Sequence, residues 1–94
     1  MRIAVIITTY NRPDALARVL DGYRAQTSRG FELIVADDGS TEDTGQVVER
    51  FRQTAPFPVA HIWQEDRGFR AAAIRNRALA STSADYIIFT DGDC

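Results

Sequence analysis

The sequence predicts an α/β domain with a parallel four-stranded sheet and the element order βαβαβαβ. Two observations lead to this fold class. Short apolar runs alternate with segments of helical periodicity, and turn-forming residues separate the two kinds of segment. The length of 94 residues allows one such domain. Right-handed crossovers between parallel strands would give a twisted sheet with helices on its faces.

The first strand and helix are predicted in the first quarter of the chain. Residues 3–8 are the first apolar run. Asn11 suits the cap of a following helix, Pro13 its first turn, and Asp14 its positive end. The apolar side chains of this helix then recur at helical spacing on one face: Leu16, Val19, Leu20 and Tyr23.

The second strand and helix repeat this arrangement. Residues 31–36 are the second apolar run, and Ser40 or Thr41 is expected to cap the helix that follows. Val47, Val48 and Phe51 supply the buried stripe of that helix.

Two further strands and one helix complete the pattern. Residues 59–63 form the third strand, in which His61 is expected to be packed or at an edge and not a ligand. Residues 69–80 form an alanine-rich helix. Residues 86–90 are a continuous apolar run, rich in β-branched and aromatic side chains, which predicts a strand buried on both faces.

Composition excludes several classes of protein. A net charge of −2 and a pI near 5.2 argue against a nucleic-acid binder that works by neutralising phosphates. No apolar run approaches the roughly 18 residues needed to cross a bilayer. The single cysteine, Cys94, fits a reducing compartment, and we expect a cytoplasmic protein. Lysine is absent, which excludes a mechanism that needs a catalytic lysine.

Polar clusters follow three of the four predicted strands, at residues 8–12, 37–40 and 91–93. The carboxyl ends of parallel strands meet at one edge of an open sheet, where ligands bind. Asp91 and Asp93, separated by a glycine, can turn their oxygens toward one hard cation. The three clusters together predict a ligand site at this edge.

Other nucleotide-binding folds do not fit. The loop after the first strand lacks glycine, so neither a dinucleotide fingerprint nor a phosphate-binding loop is present. A phosphorylation receiver would carry its paired aspartates after the first strand and would use a lysine. Here the pair, Asp37 and Asp38, follows the second strand.

Four segments, at residues 7–13, 35–41, 68–76 and 91–93, resemble the successive motifs of family-two glycosyltransferases. The resemblance covers essentially the whole chain. It implies the GT-A fold, a three-layer Rossmann-like sheet, with the fourth strand beside the first. It also implies inverting transfer of a sugar from a nucleotide donor, commonly a UDP-sugar, to a hydroxyl of a carbohydrate or lipid-linked acceptor.

The resemblance also implies a nucleotide-binding set of eight residues. Tyr10 would stack on the base, Asp38 would accept the uracil N3–H, and Asp37 is expected to brace the loop. Arg70 and Arg75 would reach the base carbonyl or the diphosphate. The alternative is an exposed loop tyrosine and two solvated arginines. The full set is Thr8, Tyr10, Arg12, Asp37, Asp38, Arg70, Arg75 and Asp91.

Asp91 and Asp93 are the catalytic residues that the resemblance implies. Asp91 would contact the ribose or the metal shell, and Asp93 would ligate a divalent Mn²⁺ or Mg²⁺ that bridges the diphosphate. Such a metal would stabilise the charge that develops on the leaving UDP.

The chain departs from the family pattern because it ends one residue after Asp93. Family members continue into an acceptor-binding half, so residues 1–94 are expected to be the donor-binding half alone. In a complete enzyme that half could work at a membrane surface. A fragment that binds nucleotide weakly, or only associates with another chain, is the alternative, and a nucleotidyltransferase is a third reading. An uncovered fourth strand would favour a homo-oligomer.

Overall fold

The computed structural model describes residues 2–10, 12–25, 30–40, 42–64 and 71–91. The observed order is the predicted βαβαβαβ. No helix in these ranges is long and apolar enough to span a membrane. The elements are β1 (Ile3–Thr9), α1 (Pro13–Arg24), β2 (Phe31–Asp37), α2 (Glu42–Thr54), β3 (Val59–Trp63), α3 (Ala71–Ala80) and β4 (Tyr86–Asp91).

The four strands form one parallel sheet in the order β3-β2-β1-β4. β1 therefore lies between β2 and β4, and Val5 pairs with Leu33 on one side and with Ile88 on the other. The chain moves outward from β1 through β2 to β3 and then crosses back to the opposite side of β1. Because parallel crossovers are right-handed, this reversal puts α3 on the other face of the sheet from α1 and α2.

Two hydrophobic clusters, one on each face of the sheet, confirm the three-layer arrangement. Alternate residues of a strand point to opposite faces, so Val5 and Ile7 face α1 and α2 while Ala4 and Ile6 face α3. The first cluster contains Leu16, Leu20, Leu33, Val35, Val48, Phe51 and Phe57, and the second contains Ile34, Ala36, Ile74 and Ala78.

The start of α1 differs from the prediction. Arg12 is the N-cap residue and makes no side-chain capping hydrogen bond, although its carbonyl accepts the Leu16 N–H at 2.9 Å. Asn11, the predicted cap, lies outside the described residues. Pro13 and Asp14 occupy the first turn as expected, because the ring of proline suits that position and an acidic group favours the positive helix end.

The prediction from composition that the fourth strand is buried on both faces is wrong, whereas the expectation of an uncovered fourth strand is confirmed for Ile88 and Phe89. Tyr86, Ile88 and Phe89 are 60%, 50% and 47% exposed. β4 pairs only with β1 among the described residues, and α3 packs across β1, β2 and β3 on its side of the sheet. An apolar composition is therefore not enough to predict that a strand is buried, because burial also depends on which strands and helices pack against it. The position of the fourth strand beside the first is confirmed.

We predict that the packing of α3 on the sheet depends on Ile74, which is 1% exposed. Ile74→Ala should lower the free energy of unfolding by about 2–5 kcal/mol, because it leaves a cavity under the helix. Leu79→Ala is the matched control, since Leu79 lies on the same helix and is 38% exposed. Urea unfolding of the two variants measures the difference. Equal losses would contradict this packing.

Candidate functional site

The carboxyl ends of β1 and β4 define a crevice at the edge of the sheet. These neighbouring strands are the point at which the direction of strand addition reverses, and the helices α1 and α3 lie on opposite faces of the sheet. Ligands of open α/β sheets bind at such a reversal. Thr8 lies in this crevice, where it pairs with Ala36 of β2 and with Asp91 of β4.

The strand ends from which the three polar clusters start lie side by side, because β2, β1 and β4 are adjacent in the sheet. Tyr10 is 43% exposed at the end of β1, and Arg12 is exposed at the start of α1. The loop after β1 is joined to the loop after β2 by a backbone hydrogen bond of 3.1 Å from the Asp38 N–H to the Thr9 carbonyl. The loops after β1 and β2 therefore contact each other at the predicted edge of the sheet.

Asp37 braces the loop at the end of β2. Its side chain is fully buried, and its Oδ1 accepts the Ser40 N–H at 2.9 Å. Between them Gly39 has a φ of 89°, a conformation that side chains disfavour and glycine adopts readily. The turn over residues 37–40 is thus set by an aspartate that closes it and a glycine that permits it.

Three side chains at the end of β3 hold the same turn from the other side. His61 Nε2 lies 2.8 Å from Asp37 Oδ2, and the indole N–H of Trp63 donates to the Ser40 carbonyl at 3.1 Å. The Gln64 amide donates to Asp38 Oδ1 at 2.6 Å. Each of the three thus contacts a different residue of the turn. His61 is half-buried and packed, as the sequence predicted.

The three polar clusters predicted from the sequence do not include the end of β3. A usable signal was present, because a parallel third strand ends at the same edge as the other three and carries Trp63 and Gln64 there.

Asp38 is buried, at 7% exposure, although it lies at a rim where ligands bind. Burying a carboxylate is unfavourable unless the group is hydrogen-bonded. The Gln64 amide, itself 5% exposed, supplies such a bond. The acceptor atoms of Asp38 are therefore held in a defined orientation.

The structure describes two of the four remaining predicted residues, Arg75 and Asp91. Arg75 is exposed on α3, which runs back from the carboxyl edge of the sheet. Asp91 ends β4, and its backbone pairs with Thr8. Arg70 and Asp93 lie outside the described residues, and their roles stay predictions. Within the described ranges, no three His, Cys, Asp or Glu side chains form a group that could hold a metal ion.

The chain belongs to glycosyl transferase family 2, since the model of that family matches residues 4–94. Validoxylamine A glucosyltransferase of Streptomyces hygroscopicus subsp. jinggangensis is 37% identical over 91 residues, which are 95% of this chain and 21% of that enzyme. The family resemblance seen in the four motifs is confirmed.

Solved structures show the same fold. Mannosyltransferase PcManGT from Pyrobaculum calidifontis, in complex with GDP-Man and Mn²⁺, is 31% identical with a TM-score of 0.83, and the match covers 98% of this chain and 27% of that one. S. aureus TarS 1–349, in complex with UDP-GlcNAc, is 30% identical with a TM-score of 0.82, covering 99% and 27%. The chain spans less than a third of the length of each of these proteins. The GT-A fold is confirmed.

We predict that Asp37 and His61 are energetically coupled. A fully buried carboxylate that loses a hydrogen-bond partner is left with an uncompensated desolvation cost. Urea unfolding of Asp37→Ala, His61→Phe and the double variant forms a double-mutant cycle. We expect a coupling free energy of at least about 0.5 kcal/mol. Additive losses would show that the 2.8 Å contact does not stabilise the turn.

Proposed function

We propose that residues 1–94 form the donor-binding half of a sugar transferase that uses a UDP-sugar. The observation that carries this proposal is the convergence of a buried, oriented Asp38 with Thr8 and the end of β4 at the reversal point of the sheet. The fold and family support it. The complete enzyme would transfer the sugar with inversion to a hydroxyl of a carbohydrate or lipid-linked acceptor.

The base would be recognised by Asp38. A carboxylate accepts hydrogen bonds, and the Watson–Crick edge of uracil presents the N3–H donor where cytosine presents an acceptor. A site built around a buried acceptor therefore favours uracil over cytosine. Guanine also presents an N–H at this edge, and the two structural neighbours hold GDP-Man and UDP-GlcNAc. We propose UDP as the nucleotide of the donor, and GDP is the competing nucleotide against which UDP binding should be measured.

The rest of the nucleotide would lie along the end of β1. Tyr10 has an exposed ring that can stack on the base, a contact that is favourable for any base. Thr8 lies between β2 and β4, so it would line the pocket between base and diphosphate. Arg12 and Arg75 are exposed cations that would pair with phosphate oxygens. Arg70 is assigned the same role from the motif that contains it.

The diphosphate would lie near Asp91 and Asp93. Two observations support a divalent metal there: the register of β1 and β4 brings the backbone of Asp91 beside Thr8, and the sequence Asp91-Gly92-Asp93 offers the oxygen donors that Mn²⁺ and Mg²⁺ prefer. Asp93 would be a ligand, and Asp91 would contact the ribose or the metal shell. When bound, the metal would stabilise the negative charge of the departing diphosphate.

An inverting transfer also needs a base to take the proton of the acceptor hydroxyl. We assign that base to no residue of this chain and place it in the acceptor-binding part of a longer protein. We propose a cytoplasmic location for the donor site.

We predict that UDP binding depends on Mn²⁺ through Asp93. Asp93→Asn should weaken UDP binding in the presence of Mn²⁺ at least about tenfold, roughly 1.4 kcal/mol, because a charged ligand is lost. Calorimetric titrations of UDP with and without Mn²⁺ measure the effect. Asp21→Asn, on the exposed surface of α1, is the matched control. Equal affinity with and without Mn²⁺ in the unaltered chain would contradict the metal assignment.

We predict that base preference depends on Asp38 more than on Asp37. Asp38→Ala removes the acceptor that matches N3–H, so the preference for UDP over CDP should largely disappear. Asp37→Ala should weaken folding more than preference, since Asp37 holds the turn. Competition binding of UDP, GDP and CDP to each variant decides between them. A loss of preference in Asp37→Ala alone would show that the two roles are reversed.

We also propose that the 94-residue chain self-associates through β4. Ile88 and Phe89 are about half exposed on opposite faces of a strand that pairs only with β1 among the described residues. An apolar edge of this kind favours pairing with another chain.

Sedimentation equilibrium at micromolar concentrations should show more than one chain per particle. Phe89→Asp should shift the distribution toward monomer, and Leu79→Asp on the exposed side of α3 is the control. A folded monomer at high concentration in the unaltered chain would contradict association.

A further inference from the structure

We propose that Gln64 is a positioning residue that sets the base preference of the site by orienting Asp38. The inference rests on the proposed function, in which Asp38 reads the base. Gln64 follows β3 and lies outside the four motifs that indicated the family. The sequence alone assigns no role in base recognition to Gln64. Its role follows from its contacts.

The main chain of Gln64 is held in place by a backbone hydrogen bond, independently of its side chain. Its N–H donates to the Asp37 carbonyl at 3.1 Å, which continues the pairing of β3 with β2 beyond Trp63. His61 and Trp63 hold the turn on either side of Asp38, through Asp37 and Ser40. The side-chain amide of Gln64 therefore extends from a backbone that is fixed to β2. The turn that contains Asp38 is fixed as well, by the contacts of His61 and Trp63.

The hydrogen bond between the two side chains is sheltered from water. Gln64 is 5% exposed, Asp38 is 7% exposed, and the amide nitrogen lies 2.6 Å from Oδ1. Losing a hydrogen bond to a buried carboxylate is costly, because the group has already given up its contact with water. Functional groups keep a productive geometry when a second group locks them in this way.

The contact between Gln64 and residue 38 fixes which of the two side chains donates the hydrogen bond and which accepts it. The amide N–H₂ of Gln64 is a donor, so the atom of residue 38 that faces it must be an acceptor. A carboxylate meets this demand and still presents acceptor oxygen toward a base, because both of its oxygens accept. A primary amide at position 38 cannot do both. Its oxygen would turn to Gln64, and its N–H₂ would turn to the base.

This asymmetry gives a prediction that a purely structural role does not make. Asp38→Asn should bind CDP at least as well as UDP, because an N–H₂ then faces the base and matches the N3 acceptor of cytosine. Adding Gln64→Glu should reverse that result. The new carboxylate would accept from the introduced amide, whose oxygen would again face the base, and the preference for UDP should return by about fivefold or more.

Competition binding of UDP and CDP to the 94-residue chain with Mn²⁺ tests the proposal, read as the ratio of the two affinities. The ratio cancels losses that affect both nucleotides equally, such as partial unfolding. Gln64→Leu is the second variant, and it should lower the ratio at least about fivefold while CDP affinity changes little. Gln53→Glu and Gln53→Leu, on the exposed surface of α2, are matched controls and should leave the ratio unchanged.

The outcomes separate the inference from the proposed function. If the unaltered chain does not prefer UDP over CDP, the proposed base recognition is wrong, and the role of Gln64 is wrong with it. If the unaltered chain prefers UDP but Asp38→Asn has the same ratio with and without Gln64→Glu, the inference alone is overturned. Should the double variant fail to fold, an unchanged ratio in Gln64→Leu overturns it equally.

Discussion

The pairing of β1 on both of its edges is the constraint on which the rest of this structure depends. Its register with β2 and β4 decides which residues face each helical layer, because neighbouring residues of a strand point to opposite sides. A slip of one residue would send Ile6 and Ile7 to the wrong clusters. The same register aligns Thr8 with Ala36 and Asp91. Packing of the core and assembly of the polar edge are therefore consequences of one set of hydrogen bonds.

The reversal of strand order links this constraint to function. It sends α3 to the face opposite α1 and α2, and it opens the crevice between the ends of β1 and β4. The reversal also leaves β4 at an edge with Ile88 and Phe89 about half exposed. The feature that supports the proposed ligand site thus also produces the surface proposed for association. Both follow from the order β3-β2-β1-β4.

Local sequence patterns predicted the elements well and the contacts between distant elements poorly. Apolar runs, helical spacing and, for α3, a high alanine content predicted the seven elements, and polar residues after β1, β2 and β4 indicated the edge of the candidate site. The burial of β4 was not predictable from its composition, because burial depends on what packs against a strand. The bond from Gln64 to Asp38 joins residues 26 positions apart, and only the pairing of β3 with β2 brings them together. The N-cap of α1 was predicted one residue too early, because Asn11 and the observed N-cap, Arg12, are adjacent and a local pattern does not decide between them.

The central claim is that a nucleotide lies at the carboxyl edge of the sheet with its base on Asp38. A crystal structure of the 94-residue chain with UDP and Mn²⁺ tests this most directly. The account predicts the uracil N3 atom within about 3 Å of an Asp38 carboxylate oxygen, the Gln64 contact retained, and the diphosphate beside the end of β4. UDP bound elsewhere, for example in the cleft between α1 and α2 that is lined by Leu20, Arg24 and Phe51, would contradict it.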